Sequence, residues 1–213
     1  MTKVIERYTL LIIGMLALFG VSVQFIISIM RAIAEDNSVG EVVINMLAYF
    51  TILTNTFAAV VLIIVGLLPN SRMGKVLATP TVFGCVITSM LWVGIGFHLL
   101  LSDYWSPNGM EAVTNYLNHY IVPSMLLIIW LVFPPKTQIS KWTPLLWEIY
   151  PVIYGIYIII RGELIDKYPY PFFDVNIIGY SKALLNGLVI LLVILGIGYF
   201  VRGTVNLSSR LQR

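Results

Sequence analysis

Six apolar runs, each long enough to cross a bilayer, constrain this chain more than any other feature. A helix needs roughly 20 apolar residues to cross the hydrocarbon layer. Runs of that order cover 8–30, 42–68, 77–101, 113–133, 144–160 and 179–201. The fifth is the shortest, is rich in tyrosine and carries Glu148 and Pro151. In lipid every backbone polar group must be satisfied internally, and a single apolar run achieves that only as a helix. The expected fold is therefore all-α: a polytopic membrane bundle of six transmembrane helices, forming a single integral membrane domain over 1–213 with no soluble module. Only 11% of the 213 residues are charged, against about 25% in an ordinary water-soluble domain.

The joints between runs set the orientation. Lys3 and Arg7 precede the first, Arg72 and Lys75 follow the second, Lys136 and Lys141 follow the fourth, and Arg202, Arg210 and Arg213 follow the sixth. With six crossings all of these fall on one side. The opposite loops hold Glu35, Asp36, Glu41, Asp103, Glu111, Glu163, Asp166 and Asp174, against Arg31, Arg161 and Lys167. The positive-inside rule then puts both termini in the cytoplasm of a multi-pass cell-membrane protein. The first run is longer than the h-region of a signal peptide. It is read as a retained helix, with cleavage at Ala32-Ile33-Ala34 as the alternative. The net charge of +3 is dispersed over the span ends, so no nucleic-acid partner is expected. Cys85 stands alone, which excludes a disulfide within the chain and a cysteine metal site, and suits a small packing residue. There is no evident internal repeat of the kind that builds many transporters.

Polar residues inside the apolar runs are the candidates for chemistry. The fourth run opens with Asn115-Tyr-Leu-Asn-His-Tyr-Ile-Val-Pro123. At helical spacing Asn115, Asn118, His119 and Pro123 share one face. An imidazole in lipid is costly, so His119 should face the interior and have a partner. The second run holds Tyr49-Phe-Thr-Ile-Leu-Thr-Asn-Thr-Phe57, with Thr51, Thr54, Asn55 and Ala58 close on one face. Threonines in membrane helices commonly bond back to their own helix, which accounts for one or two hydroxyls more readily than for three plus an amide. A threonine becomes a nucleophile when a base takes its proton, and an imidazole can do that and later return it. Thr54 with His119 is thus a candidate pair for cleaving an acyl bond, with Asn55, Asn118 and His98 orienting the ring or stabilising an oxyanion. A purely structural His119 stands beside that reading.

Other residues carry paired readings. His98 and His119 lie at almost equal depth, which suits two axial haem ligands in an electron carrier. Glu148 is either a protonated structural acid or a proton-pathway group. Lys182 either snorkels to the headgroups or binds a substrate carboxylate. Tyr168-Pro-Tyr-Pro-Phe-Phe-Asp174, with Tyr168 and Tyr170, either belongs to an aromatic belt or caps a substrate cavity. A small transporter or non-enzymatic scaffold is the remaining alternative.

Three motifs in order carry a resemblance: Phe50-Thr-Ile-Leu-Thr-Asn55, Asn118-His-Tyr-Ile-Val-Pro123 and Tyr168-Pro-Tyr-Pro-Phe-Phe-Asp174. The chain resembles bacterial six-span membrane proteins similar to the eukaryotic androgen-induced and androgen-dependent TFPI-regulating protein family. That family consists of multi-pass threonine hydrolases that cleave fatty acid esters of hydroxy fatty acids with one intramembrane Thr and one intramembrane His. The resemblance implies a lipid or fatty-acyl substrate, Thr54 as nucleophile with Thr51 as the alternative, His119 as base, and neither cofactor nor metal.

Overall fold

The computed structural model describes residues 2–211, with side chains from 4 to 207. Arg213 lies outside the described residues, as do the side chains of Lys3 and Arg210. The described chain is an all-α bundle with six helical segments long and apolar enough to cross a membrane. An even number of antiparallel crossings leaves both termini at one end, here called the basic end; the other is the acidic end.

The first crossing is α1 (Thr2–Ala34), longer than the run of apolar residues alone requires. It is integral to the core: Leu10, Ile13 and Ala17 are buried with Ala58 and Leu62 of the third helix. The second run, expected to be continuous over 42–68, is two helices, α2 (Val39–Met46) and α3 (Phe50–Leu67). The break at 47–49 is invisible to hydropathy because Leu47, Ala48 and Tyr49 are themselves apolar or aromatic. A short α4 (Arg72–Leu77) leads into α5 (Pro80–Leu100). The fourth crossing joins α6 (Gly109–Tyr116), one π-helical turn over Leu117–Ile121, and α7 (Val122–Val132). The fifth joins α8 (Thr143–Trp147) to α9 (Ile149–Ile165), five residues beyond the expected end at 160. The last crossing is α10 (Val175–Leu211), kinked where Gly179 takes φ 76°.

Three clusters hold the bundle, the smallest being Val21, Met46 and Ile52. The largest buries Ile13, Leu62, Ile87, Met90, Val122 and Leu126 completely. Each such side chain contributes about 1.5–3 kcal/mol if removed from water, though between helices already in lipid the gain is mainly packing. The second cluster, of Phe50, Tyr154, Tyr170 and Phe173, is aromatic. At the basic end Arg7 donates to the carbonyls of Gly66 and Leu67, the orphan acceptors where α3 stops. At the acidic end Arg31 pairs with Glu111 at 2.6 Å, tying α1 to α6.

Candidate functional site

The geometry of the site begins with Pro123. A proline has no N–H, and its ring crowds the carbonyl four residues back, which here belongs to His119. The chain widens instead: Val122 N–H bonds the Leu117 carbonyl, five residues earlier. In that register the Asn118 carbonyl would also look to Pro123 for a donor and find none. Asn55 supplies it, donating Nδ2 to Asn118 O at 3.2 Å and to Thr51 O at 3.0 Å. The His119 carbonyl faces Gly94 of α5 so closely that a Cβ there would meet it at 2.8 Å. Single π turns recur at functional sites because they turn side chains away from the α-helical stripe. The common face expected for Asn118 and His119 is lost in this way: Asn118 points at Gly20 of α1, while His119 points at α3 and α5.

His119 Nδ1 lies 3.1 Å from the Asn115 carbonyl. A carbonyl only accepts, so Nδ1 carries the proton and Nε2 presents its lone pair. The Thr51 hydroxyl lies 3.2 Å from Nε2 and therefore donates to it. Phe97 lies flat on the imidazole, with ring centres 3.8 Å apart. The imidazole thus has one nitrogen fixed by backbone, one facing a hydroxyl, and a ring clamping its plane.

The structure brings His119 to Thr51, not to Thr54. Thr54 is fully buried and shares a hydrogen bond of 2.9 Å with the Tyr150 hydroxyl. The two threonines are three residues apart on α3, so their directions differ by about 60°, enough for one to meet the π turn between α6 and α7 and the other α9. Both Asn55 amide hydrogens are occupied, so Asn55 fixes backbone rather than facing an oxyanion. Asn118 is buried against α1 with its Oδ1 unpaired. His98 is exposed and bonds Tyr120 at 3.3 Å. Because Phe97 covers the His119 ring and both His119 nitrogens are engaged, the two histidines do not form a paired axial site. Among the described residues no cluster of His, Cys, Asp or Glu could hold a metal ion.

Thr51 is one of the residues lining an apolar cavity of about 440 Å³. Trp92, Val93 and Phe97 of α5, Tyr154 and Ile159 of α9, and Leu188 and Ile194 of α10 line it, closed at the acidic end by Tyr170 and Phe173. Ile156, Ile160, Leu184 and Leu188 line the same space yet face outward. The cavity therefore opens sideways between α9 and α10, toward where lipid would lie.

Tyr170 is buried, and its hydroxyl accepts from Phe50 N–H at 3.0 Å at the first turn of α3. The same hydroxyl also interacts with the Thr51 and Tyr154 hydroxyls. Burial pushes the phenol up to about 12, so it stays a donor across the physiological range. Tyr168 packs its ring on Gly162, and Lys182 is exposed on α10. Glu148, at the α8–α9 joint, has both carboxylate oxygens buried with no hydrogen-bond partner among the described residues. Cys85 packs beside it, with Sγ 3.9 Å from the Trp147 carbonyl.

Sequence reasoning missed one feature. Tyr150, Tyr154, Tyr157 and Arg161 follow each other at spacings of four, three and four along α9, one helical stripe. They bond Thr54 Oγ1, Ala48 O, Leu47 O and Asn45 Oδ1 in turn. The stripe supports the broken joint between α2 and α3, whose carbonyls lack helical partners there. The periodicity is visible in the sequence, but nothing there marks its partners.

Comparison with protein-family models, curated proteins and solved structures gave no match for this chain.

Proposed function

We propose that this protein is an intramembrane hydrolase of fatty acyl esters, with Thr51 as nucleophile and His119 as general base. One observation carries the reading: the chain Thr51 O–H to His119 Nε2, and Nδ1–H to the Asn115 carbonyl, starts from a residue that lines an apolar cavity open toward lipid. This is the nucleophile, base and orienting acceptor that acyl transfer requires. The motif resemblance to the androgen-induced and TFPI-regulating threonine hydrolases supports the reaction class and the base His119, while it matches Thr54 first and Thr51 as the alternative nucleophile.

In the proposed reaction Thr51 Oγ attacks the ester carbonyl while its proton passes to Nε2. The tetrahedral intermediate expels the alkoxide, which takes that proton from the imidazolium. Water then attacks the acyl-threonine, with His119 taking its proton and returning it to Thr51 Oγ. Tyr170 O–H, beside Thr51, is the donor assigned to the oxyanion. Phe97 holds the ring in plane.

A fluorophosphonate probe applied to membranes should label the wild type. Thr51→Ala and His119→Ala should each abolish labelling, and Thr54→Ala should keep it. Labelling that survives Thr51→Ala and His119→Ala in folded protein would falsify the assignment and leave a packing role for both.

A further inference from the structure

A second cavity, of about 380 Å³, lies at the acidic end, where Asn45, Ala48 and Tyr49 of the α2–α3 joint line it. Its floor is Arg161. This residue is 8% exposed, so more than nine-tenths of it is buried. A buried cation normally carries a carboxylate partner, because desolvating an unpaired charge is expensive. Among the described residues none pairs with Arg161. Its Nη2 donates to Asn45 Oδ1 at 2.6 Å and its Nη1 to the Lys167 carbonyl at 3.1 Å, both uncharged acceptors. Its Nε–H is buried without an acceptor. The two bonds occupy two of the five guanidinium N–H donors, and among the described residues Nε is the guanidinium nitrogen with no acceptor at all.

The same cavity is lined by Lys167 and by Tyr168, whose hydroxyl is also buried and without a partner. Two acids line it too, and each accepts a hydrogen bond from a neutral donor that leaves its charge in place; burial first, and then the charges of Glu163, Asp174 and Asp166, push the Tyr168 phenol up. Asp166 accepts from Asn176 Nδ2 at 2.6 Å, and Asp174 accepts from Asn176 N–H at 3.0 Å, at the start of α10. Lys167 reaches only an exposed Glu41, at 3.7 Å.

We infer that this cavity is a seat for a phosphate group, held by Arg161 Nε–H, the Tyr168 hydroxyl and Lys167. Arg161, Tyr168 and Lys167 line one space, the Lys167 side chain is 60% exposed and long enough to turn from Glu41, and a terminal phosphate offers three oxygens to such donors where a carboxylate offers two. The phosphate is either the headgroup of a lipid in the adjoining leaflet or a free ion from the aqueous side. The seat needs no chemistry at Thr51, so it stands or falls apart from the proposed hydrolase.

The test is equilibrium binding to the full chain in a neutral maltoside detergent. The probes are a short-chain phosphatidic acid, the diacylglycerol with the same chains, and inorganic phosphate. Wild type should bind phosphatidic acid at least about tenfold tighter than diacylglycerol, the size of one hydrogen bond to a charged group. Arg161→Gln should erase that preference. Because Arg161 also ties Asn45, Tyr168→Phe serves as a second variant; it removes only an unpartnered hydroxyl and should weaken phosphatidic acid severalfold. Inorganic phosphate that binds with the same dependence on Arg161 identifies a free-ion seat, and preference confined to phosphatidic acid identifies a headgroup seat. Equal binding of phosphatidic acid and diacylglycerol by the wild type, with no response to inorganic phosphate, overturns the inference without recourse to any variant. So does a preference undiminished in both variants.

Discussion

At the scale of single residues, the division of labour between Thr51 and Thr54 decides what each substitution does. Thr54 is sealed against Tyr150, so Thr54→Val should cost about 1 kcal/mol of stability through one lost hydrogen bond. Thermal unfolding should register that loss while probe labelling stays unchanged. Tyr170 gives a pH signature. Its folded-state value of about 12 lies above the ordinary 10.0 because of burial. As pH rises past 10 the unfolded chain gives up this proton first, so the contribution is complete below about 10 and is lost between 10 and 12. Tyr170→Phe should flatten that part of the stability–pH curve relative to wild type, measured by the midpoint of thermal unfolding. An unchanged difference between the two proteins from pH 8 to pH 12 would remove Tyr170 from the account. The residue types at the site were legible in the sequence: a histidine, threonines and amides inside apolar runs have few reasons to be there. Their pairing was not. Choosing between two threonines three residues apart needs the rotation of α3 about its axis, and that rotation is fixed by α9 and by the joint at 47–49.

At the scale of elements, the π turn sets the direction of His119, and Pro123 with Gly94 makes it possible. Gly94→Ala would set a methyl group 2.8 Å from the His119 carbonyl, closer than real Cβ atoms approach. The turn must shift, and Nε2 with it. Labelling by the fluorophosphonate should fall by about tenfold or more, as misplacement of a reacting group commonly costs, while the protein still elutes as a folded species. Full labelling would show that the turn tolerates movement without loss of the hydrogen bond to Thr51. The six crossings could be read in advance because hydropathy averages over a whole span. Both irregularities could not. The joint at 47–49 keeps its hydrophobicity while breaking its hydrogen bonds, and the π turn adds one residue to a turn without changing composition. The shift of α9 to Ile165 has the same origin: Arg161 and Glu163 look like loop residues, yet the helix runs on because Arg161 finds Asn45 inside the bundle.

At the scale of the molecule, the cavity and its side opening predict selectivity by chain length. Gly155 lines the cavity on α9, and a Cβ there would meet open space. Gly155→Phe should therefore fold and fill the space. Under the proposed function it should lower kcat/KM for a palmitoyl ester relative to an acetyl ester by about tenfold, within what pocket contacts can discriminate. Equal loss for both esters would mean that the chain does not lie there. The stripe of Tyr150, Tyr154, Tyr157 and Arg161 has one more consequence. Where α2 gives way to α3 the backbone cannot bond to itself, and the fifth crossing reaches over with two phenols for its carbonyls and a guanidinium for Asn45. The fifth crossing, hollowed at its back by the cavity, is for that reason moored more firmly than its apolar surface would suggest, and prising it away would strip two carbonyls and an amide oxygen of their donors at once.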